Sequence, residues 1–359
     1  MTRATKAAER EAAERLLAAF LAAGAERVEP EILLPAETLL DLYGEDIRTR
    51  AFVTAGPDGG EAMLRPDFTV PVVQRHMATR DGPARYAYAG EIFRRQTDSD
   101  RPHEYFQAGY EVFGDDAAEA DAEVFATIHA ELAPLAPRIT TGDTAILTAA
   151  VAGLEASERR KAALMRHIWR PRRFRALLER FAGKAPMPPA RAALLGSEDP
   201  LAGAGPEIGL RERAEIAERI EALRADAQEP PLSANLVALL DGLLDLSAPA
   251  RDALERLRDI AVDLPAILPS VEGLAQRLSA LEARGIDVGN LSFEGSHGRS
   301  TMEYYDGFVF TFQLPNRPDL PPLATGGRYD ALTRALGGAD GIRAVGGVIR
   351  PAVMLEGGA

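Results

Sequence analysis

Two aromatic-rich runs of alternating residues, 85–96 and 103–113, flank the polar connection Thr97-Asp98-Ser99-Asp100-Arg101-Pro102, and this arrangement constrains the fold more than any other feature. Period-two alternation marks strands with one buried face, and a polar turn between two such runs predicts an antiparallel hairpin. Strand-like sequence returns only much later, at 286–294 and 303–314. Between these regions, from 153 to 258, Ala, Leu and Arg dominate, the Pro-rich stretch 185–189 interrupts, and no long β-branched run occurs. That composition predicts a helical insertion. The expected fold class is therefore α+β, with an antiparallel sheet drawn from both ends of the chain and flanked by helices. The expected division is 1–152 for the first part of the core, 153–258 for the insertion and 259–359 for the second part.

Helical pieces frame the strands. Ala13, Leu16, Leu17, Phe20 and Leu21 recur at helical spacing within 5–23, and Gly24 supplies a stop. A short apolar-periodic piece spans 38–44, and Ala- and Glu-rich sequence after Asp115 reads as a helix to Leu135.

Composition limits the function classes. A chain of 359 residues is long enough for about two domains, or for one large core with an insertion. No run approaches the ~18 uninterrupted apolar residues of a membrane span, and the N-terminus lacks the apolar stretch of a signal peptide. With no cysteine there is neither disulfide nor thiolate chemistry, so a cytoplasmic protein without a membrane partner is expected. The formal charge of −13 opposes broad nucleic-acid binding, which gains from Lys and Arg at phosphates. One segment departs from that balance: Arg159, Arg160, Lys161, Arg166, Arg170, Arg172, Arg173, Arg175, Arg180 and Lys184 surround Trp169 and Phe174. It reads either as a phosphate or RNA footprint, or as a solvated helical face that docks an acidic partner. His76, His129, His167 and His297 show no metal-ligand spacing and read as packing or surface residues, so neither metal nor cofactor is expected.

Three short motifs carry the candidate chemistry. In 103–113, alternation puts Tyr105, Gln107, Gly109 and Glu111 on one face, with Gly109 leaving space between an amide and a carboxylate. That face suits a small polar ligand, although a half-exposed sheet with a glycine bulge would give the same pattern. In Leu64-Arg65-Pro66-Asp67-Phe68-Thr69 a strand end meets a helix start, and the spacing favours Asp67 as the helix cap. Gly326, Gly327 and Arg328, followed by Tyr329-Asp330, combine a flexible backbone with a cation, as in an anion-holding or close-packed turn.

Taken in order, the Leu64–Thr69 motif, Phe93-Arg94 with its loop into Phe106-Gln107-Ala108-Gly109-Tyr110-Glu111, then Glu303-Tyr304-Tyr305 and Gly326-Gly327-Arg328-Tyr329-Asp330 resemble the catalytic domain of histidyl-tRNA synthetases. The resemblance runs from the opening helix to about Ala352. It implies a class II aminoacyl-tRNA synthetase-like sheet with a histidine pocket. Asp67 and Thr69 would meet the ammonium, Arg94 and Gln107 the carboxylate, and Glu111 and Tyr305 the imidazole, with Tyr304 alongside. Asp67 stands where these enzymes carry the longer Glu.

Other departures concern ATP. Ser300 occupies the place of a catalytic arginine, and Arg299, one step away, would face the opposite side of a strand. Arg95-Gln96-Thr97 replaces Glu-Arg-Pro, His103 replaces a loop arginine, and the last motif is compressed to 345–350. Activating ATP requires cations around the α-phosphate, so adenylation is expected to be lost. The sequence stops at Ala359, and no anticodon-binding domain is expected. In that respect, and in the Leu64–Val72 signature, the 42–46 segment and Trp169-Arg170, it is similar to the regulatory subunits of ATP phosphoribosyltransferase. That resemblance implies a non-catalytic subunit needed for the first step of histidine biosynthesis. Its partners would be a short-form catalytic ATP phosphoribosyltransferase subunit and a second copy of itself within a hetero-oligomer, with histidine as candidate ligand and feedback signal. The alternatives are an amino-acid-activating class II paralogue and an RNA-binding module.

Overall fold

The structure, a computed structural model, describes residues 4–57, 59–79, 82–96, 101–114, 116–298, 304–337 and 341–358. Asp115, Arg299, Ser300, Glu303 and the 97–100 part of the hairpin connection lie outside the described residues. In chain order, α1 (Lys6–Ala22), β1 (Glu26–Arg27), β2 (Leu33–Pro35), α2 (Ala36–Tyr43), β3 (Val53–Ala55), β4 (Glu61–Leu64) and α3 (Thr69–Thr79) come first. The hairpin strands β5 (Ala84–Phe93) and β6 (Glu104–Phe113) precede α4 (Ala117–Leu132), β7 (Arg138–Asp143) and α5 (Thr144–Ala152). A run of helices follows: α6 (Glu158–Arg166), α7 (Pro171–Phe181), α8 (Pro189–Gly196), α9 (Arg213–Gln228) and α10 (Ala234–Asp245). The remaining elements are β8 (Ser247–Pro249), α11 (Ala250–Asp263), α12 (Leu268–Ala283), β9 (Ser292–Glu294), β10 (Phe308–Gln313), β11 (Ala324–Arg328), α13 (Asp330–Gly337), β12 (Ala344–Ile349) and α14 (Pro351–Glu356).

Among the described residues the strands form a nine-stranded sheet in the order β1-β5-β6-β12-β11-β10-β7-β9-β8, beside a small β2-β4-β3 sheet. The hairpin pairs as its alternation requires, with Tyr88 opposite Gly109 and Gly90 opposite Gln107. Strands from the two halves of the chain interleave, because β12 pairs with β6 and β10 pairs with β7. The sheet is not antiparallel throughout: β1 runs parallel to β5, and β7 runs parallel to β9. Two further differences from the sequence reading have local causes. The strand expected over 286–294 is confined to β9, because the Asp287 carboxylate accepts the Gly289 N–H at 3.1 Å and an Asn290 side-chain N–H at 2.6 Å, closing a turn. The stretch 153–258 is not helical throughout, since β8 interrupts it and joins the large sheet against β9.

The sheet separates two apolar cores. On one side α1 contributes Leu16, Leu17 and Phe20, each worth about 1.5–3 kcal/mol when buried. Thr5 caps this helix, Gly24 ends it at φ +95°, and Leu21 stays partly exposed. Phe308, Phe310 and Phe312 project from β10 at period two and surround Phe125 of α4, with ring centroids 5.3–6.2 Å apart. On the other side Val309 joins residues of α3, α13 and the small sheet. The candidate site lies on this second face.

Candidate functional site

The junction between β4 and α3 performs both roles considered for it. Asp67 Oδ1 accepts the Val70 N–H at 3.2 Å, so the side chain caps α3, and the same residue lines a cleft of about 170 Å³. That volume lies below the roughly 300–1,000 Å³ of drug-sized sites and restricts occupants to small metabolites. Asp67, Thr69, Arg94, Gln107, Tyr304 and Tyr305, gathered from four separate parts of the sequence, all line this cleft.

Its electrostatics are mixed. Burial raises the Asp67 carboxyl above its ordinary range, and Arg94 opposes that rise. The Arg94 guanidinium is held in place by donating to the Pro66 carbonyl at 2.7 Å. A second guanidinium, Arg350, ends the compressed 345–350 motif and was not among the residues expected at the pocket; it donates to the Pro322 carbonyl at 2.8 Å and to Thr325 Oγ1 at 3.3 Å. Burial lowers its pKa, and the nearby Arg94 charge adds to the effect. Gln107 is 2% exposed, and its Oε1 has no hydrogen-bond partner among the described residues. A buried amide oxygen left this way is costly without an occupant that donates to it. The cleft thus offers one carboxylate, two guanidiniums, an open amide and tyrosine rings, a set that complements a zwitterion.

Glu111 is placed differently from its expected position. It is 1% exposed and lies beneath the cleft, accepting hydrogen bonds from Thr69 Oγ1 at 3.1 Å, Tyr88 OH at 2.8 Å and Tyr329 OH at 2.6 Å. The space expected over Gly109 is filled as well, because a Cβ there would sit 2.3 Å from the Tyr88 ring. Tyr88 in turn stacks on Phe68 at 4.3 Å, with Arg65 over the outer face of Phe68 at 4.1 Å. Glu111 therefore orients Thr69 and Tyr329, two cleft residues, and does not itself line the cleft.

Burial pushes the Glu111 carboxyl from an ordinary 4.5 up to about 7, while bonds from Tyr329, Tyr88 and Thr69 hold it down. The folded state therefore binds this proton more tightly than the unfolded state. Its contribution to stability is fully present below about pH 4.5 and is lost as the pH rises through about 7. At 1.36 kcal/mol per unit, up to about 3 kcal/mol is at stake. Glu111→Gln does not titrate, so its stability relative to wild type should improve between about pH 5 and about pH 8. Urea titrations at the two pH values check this, and a pH-independent difference would contradict it.

The Gly326-Gly327-Arg328 motif is neither a turn nor an anion site. Gly326 and Gly327 lie inside β11, opposite Phe310 and Val309. Arg328 donates to Asp121 at 2.7 and 3.1 Å, to Asp330 at 3.0 Å and to the Ala117 carbonyl at 2.9 Å. Arg277 completes the cluster, reaching Asp121 at 2.8 Å and Asp143 at 3.0 Å. Its charge is committed to this buried network, which ties α4 and α12 to the sheet. Among the histidines, His76 is buried, stacks on Phe113 at 4.3 Å and meets Tyr86 OH at 3.1 Å. His297 meets Thr311 Oγ1 at 2.9 Å, and burial lowers its pKa to about 4.

Comparison with known proteins agrees with this architecture. The sequence model of the family described as histidyl-tRNA synthetase matches residues 2–229 and 213–352 in two overlapping segments. Relatives named ATP phosphoribosyltransferase regulatory subunit include one from Mesorhizobium japonicum, 33% identical over 91% of this chain and 92% of its own length. Another, from Agrobacterium fabrum, is 36% identical over 94% of each chain. A solved structure described as an ATP phosphoribosyltransferase regulatory subunit/histidyl-tRNA synthetase from Bacillus halodurans superposes with a TM-score of 0.69 at 21% identity, covering 99% of this chain and 81% of that one. A histidyl-tRNA synthetase from Nostoc gives 0.65 at 16%, covering 98% and 71%. These two likenesses establish the class II synthetase fold. Matched over nearly its full length at about one-third identity, the chain belongs to the family of ATP phosphoribosyltransferase regulatory subunits, within the wider histidyl-tRNA synthetase family.

Proposed function

We propose that this chain is a non-catalytic regulatory subunit that assembles with a short-form catalytic ATP phosphoribosyltransferase, is required for its activity, and binds free histidine in the cleft as a feedback signal. The observation that carries the reading is the charge pattern around the cleft. Asp67 suits an ammonium, while Arg94 and Arg350 suit a carboxylate. Gln107 Oε1 is open to a donor, and Tyr304 and Tyr305, with ring centroids 4.8 Å apart, offer a wall for an imidazole. Histidine changes the partner's rate only to the extent that it binds two states of the complex unequally. We place the subunit as a homodimer within the hetero-oligomer, in solution in the cytoplasm and without nucleic acid, and we treat the helices α6–α10 as an insertion in the synthetase-like core.

The deciding experiment measures phosphoribosyl-ATP formation by the short catalytic subunit with and without this chain. A large rise in rate, then inhibited by histidine, is the expected result. No change in rate, with no complex on a sizing column, would reject the assignment. Histidine-dependent pyrophosphate exchange by this chain alone would instead favour an amino-acid-activating paralogue.

Calorimetry tests the ligand. Asp67→Ala and Gln107→Ala should each weaken histidine binding by about tenfold or more. Glu111→Ala should weaken it indirectly, by releasing Thr69 and Tyr329. Unchanged affinity in a folded Asp67→Ala, Gln107→Ala double variant would remove the cleft as the binding site.

A further inference from the structure

The basic segment noted in the sequence is partly folded inward. Arg160 is buried and donates to Asp226 at 2.9 Å and to the Pro230 carbonyl at 2.7 Å, with Glu229 at 3.1 Å. Around it, the end of α7, the start of α8 and residues 226–231 enclose a cleft of about 270 Å³. Three guanidiniums, Arg160, Arg180 and Arg191, line this cleft against only two carboxylates, Asp226 and Glu229.

Arg160 engages one oxygen of each carboxylate, Asp226 Oδ1 and Glu229 Oε2. Arg191 reaches Asp226 Oδ2 through Nη2 at 3.2 Å, yet its Nε is buried with no partner among the described residues. Arg180 approaches the same oxygen only at 3.8 Å, with its guanidinium over Phe181 at 4.7 Å, and it donates no hydrogen bond among the described residues. Two guanidiniums converging on one oxygen thus keep unused donors beside a cleft with a surplus positive charge. Burial lowers the Arg180 pKa and the adjacent Arg191 charge lowers it further, while Asp226 opposes the shift. Phe181, Met187 and Pro231 give the same cleft an apolar wall.

We propose that this cleft is a second ligand site, which takes a small oxyanion carried on an apolar body, either a phosphate monoester or a carboxylate. Arg180 and Arg191 grip the oxyanion in the forked manner that suits guanidinium, and the apolar wall receives the body. The site is separate from the histidine cleft and uses none of its residues.

Calorimetry on the full chain at low ionic strength, with phenyl phosphate, benzoate, inorganic phosphate and phenol as probes, tests the proposal. Saturable binding of phenyl phosphate or benzoate is expected, with phenol silent and inorganic phosphate weaker; the tighter of the two anions identifies the ligand class. Arg180→Gln and Arg191→Gln should each weaken binding at least about tenfold, with Arg180→Lys intermediate. Arg180 is partly exposed, so its variants should melt like wild type. Saturating histidine should not compete. Absence of saturable binding by either anion, equal binding of phenol, or unchanged affinity in folded Arg180→Gln would overturn the proposal.

Discussion

Replacing Asp121 with alanine should destabilise the fold by about 3–5 kcal/mol, a large share of the roughly 5–15 kcal/mol that holds a typical domain together. Asp121 is fully buried, and its two oxygens serve different guanidiniums: Oδ2 meets Arg277 and Oδ1 meets Arg328. Those side chains are only 7% and 8% exposed, so water cannot replace the lost carboxylate. Asp143 and Asp330 would each retain one contact to them, but the guanidinium donors that faced Asp121 would stay buried without an acceptor. Asp319→Ala is the control, because the Arg317–Asp319 pair lies at the surface, where water replaces a lost partner, and its removal should shift the midpoint little. Urea denaturation distinguishes them. Equal midpoints for the two variants would show that the buried network contributes little.

Gly346→Ala should be similarly severe and should also abolish the histidine binding proposed for the cleft. A Cβ at this position would stand 1.3 Å from Glu111 Oε2 and 2.3 Å from its Cδ. Glu111 cannot turn aside without breaking its bonds to Thr69, Tyr88 and Tyr329, so the strands must move apart. Overpacking of this kind costs about 3 kcal/mol or more. The mechanism predicts a specific rescue: in a Glu111→Ala background, adding Gly346→Ala should cost less than about 1 kcal/mol. A full additive penalty in the double variant would mean that the clash lies elsewhere.

The parts of the fold and site visible from sequence were those governed by short-range pattern. Alternation located β5 and β6, and the apolar stripe with Gly24 located α1. The run from Leu64 to Thr69 indicated both a helix cap and a cleft residue, because a capping carboxylate can present its second oxygen elsewhere. What escaped depends on partners distant in sequence. Arg328 looked like a free cation beside glycines, and its partner Asp121 comes from a helix 207 positions earlier, with no local signal. Alternation puts Glu111 on the ligand-facing side of β6, but it specifies a face and not the depth below it. Tyr88, directly across the hairpin, decided that depth by occupying the space over Gly109. Arg350 had one legible sign: Gly346-Gly347 just before it implies close approach of another group to β12. The strand β7 is short and carries two threonines and a glycine, which gave it no strong alternation of its own.

The interleaving of β12 between β6 and β11 determines when the protein can first become functional. While the chain is being made, the β5–β6 hairpin leaves the ribosome early and must wait, its β6 edge unpaired, until well over half the remaining sequence has been translated. Pairings this remote close slowly, and an open aromatic edge is a template for unwanted strand addition in the interval. The nascent chain is therefore most vulnerable to aggregation before β12 emerges. Histidine cannot assist this step, since the cleft it would enter does not exist until the last large-sheet strand is in place.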